Sequence, residues 1–468
     1  MKAELISKID EMIEEHTEAL VRDTKKFVSI KSTEGESEPG APFGRGPKLM
    51  LDTFLKMSKE EGFHTMDYGV GVVSAALNEG ERHLGIWLHG DVVPEGDGWS
   101  YPPYSPTEYK GCIIGRGATD NKGQLAAIYN LFKIFKAMNI ELKYNPAIYL
   151  GSNEETGMRD ITGVSGNPDA KGFINVCKPP RLSLVPDGSF SIGYGGKGGS
   201  NITLRSDAPL HDLIFTAGLP DSPGWANAIL SREDIPDELP NCQVMKGDKV
   251  TVSAFSPPRH AASPDPCGNM ITKLASAILD YDLAEADDRR ILELLRTVSL
   301  DIHGEKMGIA TEHETMGKLT VFTKTADCID GHIYLTINIR YPVGTTHEKI
   351  VENIEKSVKA YGFSVFSASA VVKPYMNDPT SEVVTALCDV ANGVTGDDRA
   401  PYTLSGTTYA HELPNAYVYG MNGCNPPPDY PKGQGGAHGI DELVSIDRLK
   451  RAMRIYARAL LTLDGMEW

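Results

Sequence analysis

Five short stretches carry side chains able to hold a divalent cation or move a proton. His89-Gly90-Asp91 pairs an imidazole with a nearby carboxylate that can fix its tautomer. Asp120 sits inside Gly115-Arg116-Gly117-Ala118-Thr119-Asp120-Asn121-Lys122-Gly123, where glycine-shaped backbone could present it as a carboxylate bridging two metals. Glu154-Glu155 follows Gly151-Ser152-Asn153. Neighbouring side chains on an extended segment point opposite ways, so one glutamate can bind metal while the other takes a proton from water. Asp187 lies in Pro186-Asp187-Gly188, and His438 stands among glycines in Gly435-Gly436-Ala437-His438-Gly439. The first four stretches have ordinary alternatives, a loop histidine, a helix N-cap, a solvated turn and a Pro-Asp-Gly turn, whereas a histidine among glycines has little packing for a core role. Together His89, Asp120, a glutamate of the pair, Asp187 and His438 offer five nitrogen and oxygen ligands and no thiolate. That set fits a two-metal hydrolytic centre.

Such residues need strand ends and shaped loops to bring them together. Leu84–Leu88, Ala147–Leu150 and Leu182–Val185 read as short buried strands, and each runs directly into one of the stretches above. The apolar periodicity predicts a helix over Leu5–Val28, another from Leu125 to about Met138, one over Ser381–Val394, and a last one carrying Ile446, Leu449, Met453, Tyr456 and Leu460. Strands alternating with helices predict an α/β domain, a mixed, largely parallel sheet flanked by helices. Side chains at the C-terminal ends of parallel strands converge on a ligand crevice.

Beyond Asp187 the texture changes. Gly193, Gly195, Gly196, Gly198 and Gly199 read as a flexible crossing. After them Ser200–Leu204, Lys249–Phe255, Lys318–Phe322 and His332–Tyr341 read as antiparallel strands, with helices over Asn269–Tyr281 and His347–Tyr361. The expected organisation is one α/β domain, residues 1–190 and 376–468, interrupted by an inserted α+β domain, residues 191–375. The run Gly193–Gly199 holds Lys197, but no Ser or Thr follows it and no helix opens there. A phosphate-binding loop is therefore a poorer reading than a hinge.

Composition closes off other classes. The chain of 468 residues has 46 Lys and Arg against 63 Asp and Glu, a net charge of −17, which argues against coating nucleic acid. No window approaches the ~20 consecutive apolar residues of a spanning helix. Lys2, Glu4, Lys8, Asp10 and Glu11 leave no room for a signal-peptide core. The seven scattered cysteines include no Cys-x-x-Cys, as expected of reduced thiols in the cytoplasm.

The motifs His89-x-Asp91, Gly117-x-x-Asp120-x-Lys122-Gly123, Glu154-Glu155-x-Gly157, Pro186-Asp187 and His438-Gly439-x-Asp441-Glu442, in that order, resemble the co-catalytic di-zinc peptidases. That clan includes aminoacylases, glutamate carboxypeptidases and succinyl-diaminopimelate desuccinylases, and the chain is most similar to its PepV-type dipeptidases over nearly its whole length. The resemblance implies two divalent ions, zinc first and manganese second. His89 and Asp187 would hold one, Glu155 and His438 the other, with Asp120 bridging. It implies Glu154 as general base, Asp91 as the orienter of His89, and a cis peptide after Asp120. In the inserted domain, then a lid, Pro258–Pro264 resembles the segment whose histidine, here His260, supports the oxyanion. Ile337–Pro342 resembles the segment whose arginine, here Arg340, grips a substrate carboxylate. Ser405-Gly406-Thr407 resembles a loop near that carboxylate.

Some positions depart from the clan's pattern. Asn121 stands where many relatives have Asp and His411 where they often have Arg. Gly423–Gly436 is long, and no asparagine matches around Pro220–Pro223. The implied activity is hydrolysis of dipeptides or short peptides with a free C-terminal carboxylate. The alternative is a deacylase or carboxypeptidase acting on N-acyl amino acids. A non-catalytic receptor on the same fold would be expected to lose ligands or the base. The length of the lid implies a monomer with a self-contained site.

Overall fold

The computed structural model describes residues 2–164, 170–218, 224–232, 234–256, 264–265 and 268–468. The chain folds as two compact units. One comprises Met1–Gly195, Asn377–Tyr402 and Thr408–Trp468, the other Gly196–Met376 and Thr403–Thr407.

In the first unit a mixed sheet runs in the order His64–Asp67, Val73–Ala76, Ala147–Gly151, Leu84–His89, Leu182–Val185, Ala416–Val418, Gly193–Gly196. Its centre is parallel: Leu84–His89 pairs in parallel with both Ala147–Gly151 and Leu182–Val185, and the latter with Ala416–Val418. Alternation along the strands sends side chains to two cores. Ile86, Leu88, Ile148 and Leu150 join Leu125, Tyr129 and Phe132 of the Lys122–Ala137 helix and Leu449 and Met453 of the Ile446–Asp464 helix. Trp87 and Tyr149 point the other way and stack with centroids 4.4 Å apart, edged by Phe173 at 4.9 Å from Trp87. Fully burying an aliphatic or aromatic side chain of this kind is worth roughly 1.5–3 kcal/mol, so these layers fix the central strands firmly.

Two expectations change here. The single helix read over Leu5–Val28 is two, Lys2–Glu15 and Thr17–Val28. The Thr17 hydroxyl donates to the Glu14 carbonyl at 2.7 Å, competing with the helical ladder at the break. The helix expected from Leu125 starts earlier, at Lys122, whose buried ammonium donates to the Ile30 carbonyl at 2.6 Å. Burial lowers that lysine's pKa to about 7.

The second unit is an antiparallel sheet in the order Cys242–Lys246, Val250–Ser256, Gly224–Leu230, Leu213–Gly218, Thr320–Ile329, His332–Tyr341, Gly198–Ser206, Phe363–Val372. Ile202, Leu204, Val252, Leu335 and Ile337 bury one face against the helices Met270–Asp280, Ala286–Leu300 and His347–Val358. The glycine run read as a flexible crossing is instead buried and extended, in the strands Gly193–Gly196 and Gly198–Ser206. A Cβ at Gly198 would stand 2.5 Å from the Tyr341 ring, so close packing requires glycine there. Lys197 between the strands donates its ammonium to the Lys318 carbonyl at 2.6 Å.

Candidate metal centre

The stretches singled out in the sequence converge in the first unit, past the C-terminal ends of its parallel strands. His89 closes the Leu84–His89 strand, Glu154 and Glu155 follow Ala147–Gly151, and Asp187 follows Leu182–Val185. Asp120 precedes the Lys122–Ala137 helix, and the Asp120–Asn121 peptide is cis. His438 adopts a left-handed backbone, φ 62°, which glycine on both sides of its short loop accommodates.

Asp120 is shared between two groups of ligand atoms. In one, His89, Asp120 and Asp187 present atoms within 4.8 Å of one another; in the other, Asp120, Glu155 and His438 do. His89 Nε2 lies 2.9 Å from Asp120 Oδ1, and His438 Nε2 lies 3.2 Å from Asp120 Oδ2 and 3.1 Å from Glu155 Oε2. His89, Asp120 and Glu155 are nearly closed to solvent, whereas His438 is 53% exposed, leaving the centre approachable from one side. His89 Nδ1 meets the Asp91 carbonyl at 3.0 Å and the Asp91 carboxylate only at 3.7 Å. That carboxylate instead accepts the Glu155 N–H at 3.0 Å, so Asp91 holds both the histidine ring and the glutamate loop.

The electrostatics describe a site short of positive charge. Burial, then Asp187, Glu155 and Asp120, push the Glu154 carboxyl well above its ordinary range. Burial and Asp120 raise Asp187 to about 7. Against its own burial, Asp120 is held low by hydrogen bonds from His438 and His89. Hydrogen bonds to Asp120 and Glu155 raise His438 to about 11. Glu155 Oε1 and Asp91 Oδ1 are buried with no hydrogen-bond partner. Buried polar atoms are normally satisfied. Crowded carboxylates, two imidazoles and buried orphan oxygens fit divalent cations.

The family model for peptidase family M20/M25/M40 matches residues 86–462. The chain belongs to this family. It is a hydrolytic enzyme of the metallopeptidase class, and M20 metallopeptidases use a metal, usually two divalent ions. The Bacillus subtilis (strain 168) protein named "Putative dipeptidase YtjP" is 28% identical, with 95% of this chain and 97% of that protein aligned. A Staphylococcus epidermidis protein with the same dipeptidase description is 27% identical over 97% of this chain and 98% of its own length. Human carnosine dipeptidase 1 shares the fold, with a TM-score of 0.60 at 15% identity over 98% of this chain and 100% of the other. The Saccharomyces cerevisiae dipeptidase Dug1p does so at 0.59 and 14%, over 99% of both chains.

Several residues of this M20 peptidase shape the centre without having been given a role from sequence. Glu442 is buried and accepts from the backbone N–H groups of Gly117, Thr119 and Asp120 at 2.9, 2.8 and 3.0 Å. Its partner Arg116, equally buried, donates to it at 2.7 Å and to the carbonyls of Glu95 and His438 at 3.2 Å. One ion pair thus ties together the loops of Asp120 and His438. Asp160 accepts from the Ser152 and Asn153 N–H groups and from the Tyr409 hydroxyl at 2.6 Å, bracing the turn into Glu154-Glu155. Asn422 donates to Asp187 Oδ1 at 3.2 Å. In the sequence Glu442 appears only as the last residue of the motif His438-Gly439-x-Asp441-Glu442, and Arg116 only as a charge between two glycines.

The second unit holds the remaining candidates. Arg340 donates through Nε to Asn338 Oδ1 at 3.1 Å, while its Nη1 is buried without a hydrogen-bond partner. Ser405, Gly406 and Thr407 belong to that unit's short segment Thr403–Thr407. His260 lies outside the described residues, as do Pro220–Pro223. Among the described residues no helix is long and apolar enough to cross a membrane.

Proposed function

We propose that the enzyme is a dipeptidase, hydrolysing the amide bond of dipeptides or short peptides that end in a free carboxylate. The observation that carries this reading is the sharing of Asp120 between two groups of ligand atoms with Glu154 beside them. The dipeptidase descriptions of relatives that align over nearly the full chain support it. In this reading His89 and Asp187 would hold one divalent ion, Glu155 and His438 the other, and Asp120 both, with zinc ahead of manganese. Bound there, such ions supply Lewis acidity toward a carbonyl oxygen and lower the pKa of water to about 7.

The chain's own groups do the rest. Glu154 takes the proton of the attacking water and returns it to the leaving amine; its raised pKa suits it to hold that proton between the two events. Asp91 keeps the His89 ring and the Glu155 backbone in place. His260 donates to the carbonyl oxygen as it gains charge. Arg340 offers its unpartnered Nη1 to the substrate carboxylate, with Ser405, Gly406 and Thr407 around it. In this reading residues 1–190 and 376–468 are the catalytic domain and 191–375 the lid, with Thr403–Thr407 belonging to the lid's compact unit. The reading extends to a monomeric cytoplasmic enzyme, supported by the free state of all the described cysteines.

The test is a panel of dipeptides, N-acetylated dipeptides and N-acyl amino acids, assayed with Zn²⁺ and with Mn²⁺. Free dipeptides should show the highest kcat/KM. A higher value for N-acyl amino acids would replace this reading with a deacylase.

A further inference from the structure

In the same unit as the metal centre lies a cavity of about 190 Å³ whose charge contrasts with the rest of the chain. Arg399, Arg448 and Arg451 line it together, in a protein of net charge −17. Asp397 is the one carboxylate in the lining, and it is engaged by Arg399 Nε at 3.0 Å. Among the described residues Arg448 and Arg451 form no ion pair, and Arg451 makes no side-chain hydrogen bond. Arg448 is half-buried and donates through Nε to the Met421 carbonyl at 2.7 Å and through Nη2 to that of Asn422. Burying a cation without a counter-charge is costly.

Two further features add to the excess. Arg448 and Arg451 stand in the first two turns of the Ile446–Asp464 helix, at the positive end of its macrodipole, where cations are disfavoured. Burial and the like charges of Arg451 and Arg399 lower the Arg448 pKa. Ser189, Thr395 and Asn425 add neutral hydrogen-bonding groups to a wall that also includes Phe190, Met421 and Ala452. The volume falls below the ~300 Å³ at which pockets for drug-sized ligands begin.

We propose that this cavity is a binding site for a small tetrahedral oxyanion, a phosphate or sulfate group held by Arg399, Arg448 and Arg451. Planar guanidinium forks match such oxygens in geometry and charge. The Met421–Asn422 carbonyls that Arg448 holds belong to the segment whose Asn422 side chain reaches Asp187. The site therefore adjoins the metal centre through one short stretch of backbone. It stands on residues that have no part in the proposed hydrolysis.

The experiment is isothermal titration of the metal-loaded enzyme with sulfate, inorganic phosphate and glycerol phosphate, at constant ionic strength balanced with chloride. The expected result is saturable binding of one oxyanion per chain. It should weaken about tenfold or more in Arg451→Ala and in Arg399→Ala, the loss of one charge-assisted hydrogen bond, and recover in part in Arg451→Lys. Binding of sulfate or phosphate identifies the free ion as the ligand. Binding of glycerol phosphate alone identifies a phosphorylated small molecule. Phosphate held at the metals would bind Arg451→Ala and Arg399→Ala as tightly as the parent enzyme. That result, or no saturable binding by any of the three, overturns the proposal.

Discussion

Glu154 and Glu155 are adjacent in the chain, yet their surroundings differ, which is the basis of the roles proposed for them. Glu155 Oε2 meets His438, and its backbone N–H is held by Asp91, whereas Glu154 is perturbed by burial and by Asp187. Glu154→Gln should therefore keep two metal equivalents after dialysis and lose activity by about 10²–10⁴-fold, the usual worth of a positioned base. His438→Ala should lose one metal equivalent together with activity while its circular dichroism stays native. Metal analysis and turnover on the same samples check both. Retained metal in Glu155→Gln alongside lost metal in Glu154→Gln would reverse the assignment. In the proposed function Arg340 bears on selectivity. Losing a charge-assisted hydrogen bond costs roughly 1.5–3 kcal/mol, so Arg340→Ala should lower kcat/KM about tenfold or more on free peptides and little on C-terminally amidated ones. Equal losses on both would remove it from carboxylate recognition.

Among the elements, the loops matter more than the strands they leave. The strands end where the layers of Ile86, Leu88, Ile148 and Leu150 put them, but the loop of Asp120 and the loop of His438 come from stretches far apart in the chain. The Arg116–Glu442 pair holds them together, buried on both sides. Removing one partner leaves an uncompensated buried charge, a loss of about 3–5 kcal/mol. Arg116→Met should accordingly shift the urea midpoint strongly downward. A midpoint in Arg116→Met close to that of the parent would show that the pair does not hold the loops.

At the scale of the whole molecule, metal and fold are linked. Divalent ions that bind only the native centre add RT ln(1 + [L]/Kd), about 2.7 kcal/mol at a hundred times Kd. Chelation should lower Tm, and the shift should shrink in His438→Ala, which has lost one site. Scanning calorimetry with and without EDTA measures it. The monomer reading has its own test. Mixing inactive His260→Ala with inactive Glu154→Gln should restore nothing at any ratio, because each chain carries its own base and its own lid histidine. Recovered activity would mean a site shared between subunits.

The sequence by itself determined the central strands and the order of the motifs. Leu84–Leu88, Ala147–Leu150 and Leu182–Val185 were legible as strands because short apolar runs bounded by turns are a local signal. The family was legible because Asp120, Glu154-Glu155 and His438 each keep their glycines beside them. What depends on distant contacts was not legible. Gly198, read as part of a flexible crossing, serves close packing against the Tyr341 ring. Only the tertiary structure decided that Asp91 holds Glu155 as well as His89, and that Asp160 and Tyr409 brace the glutamate turn. The joining of Arg116 to Glu442 also needed the fold. The physical reason is that periodicity and turn chemistry act over a few residues, whereas a buried charge is paid for by whichever partner the fold brings to it.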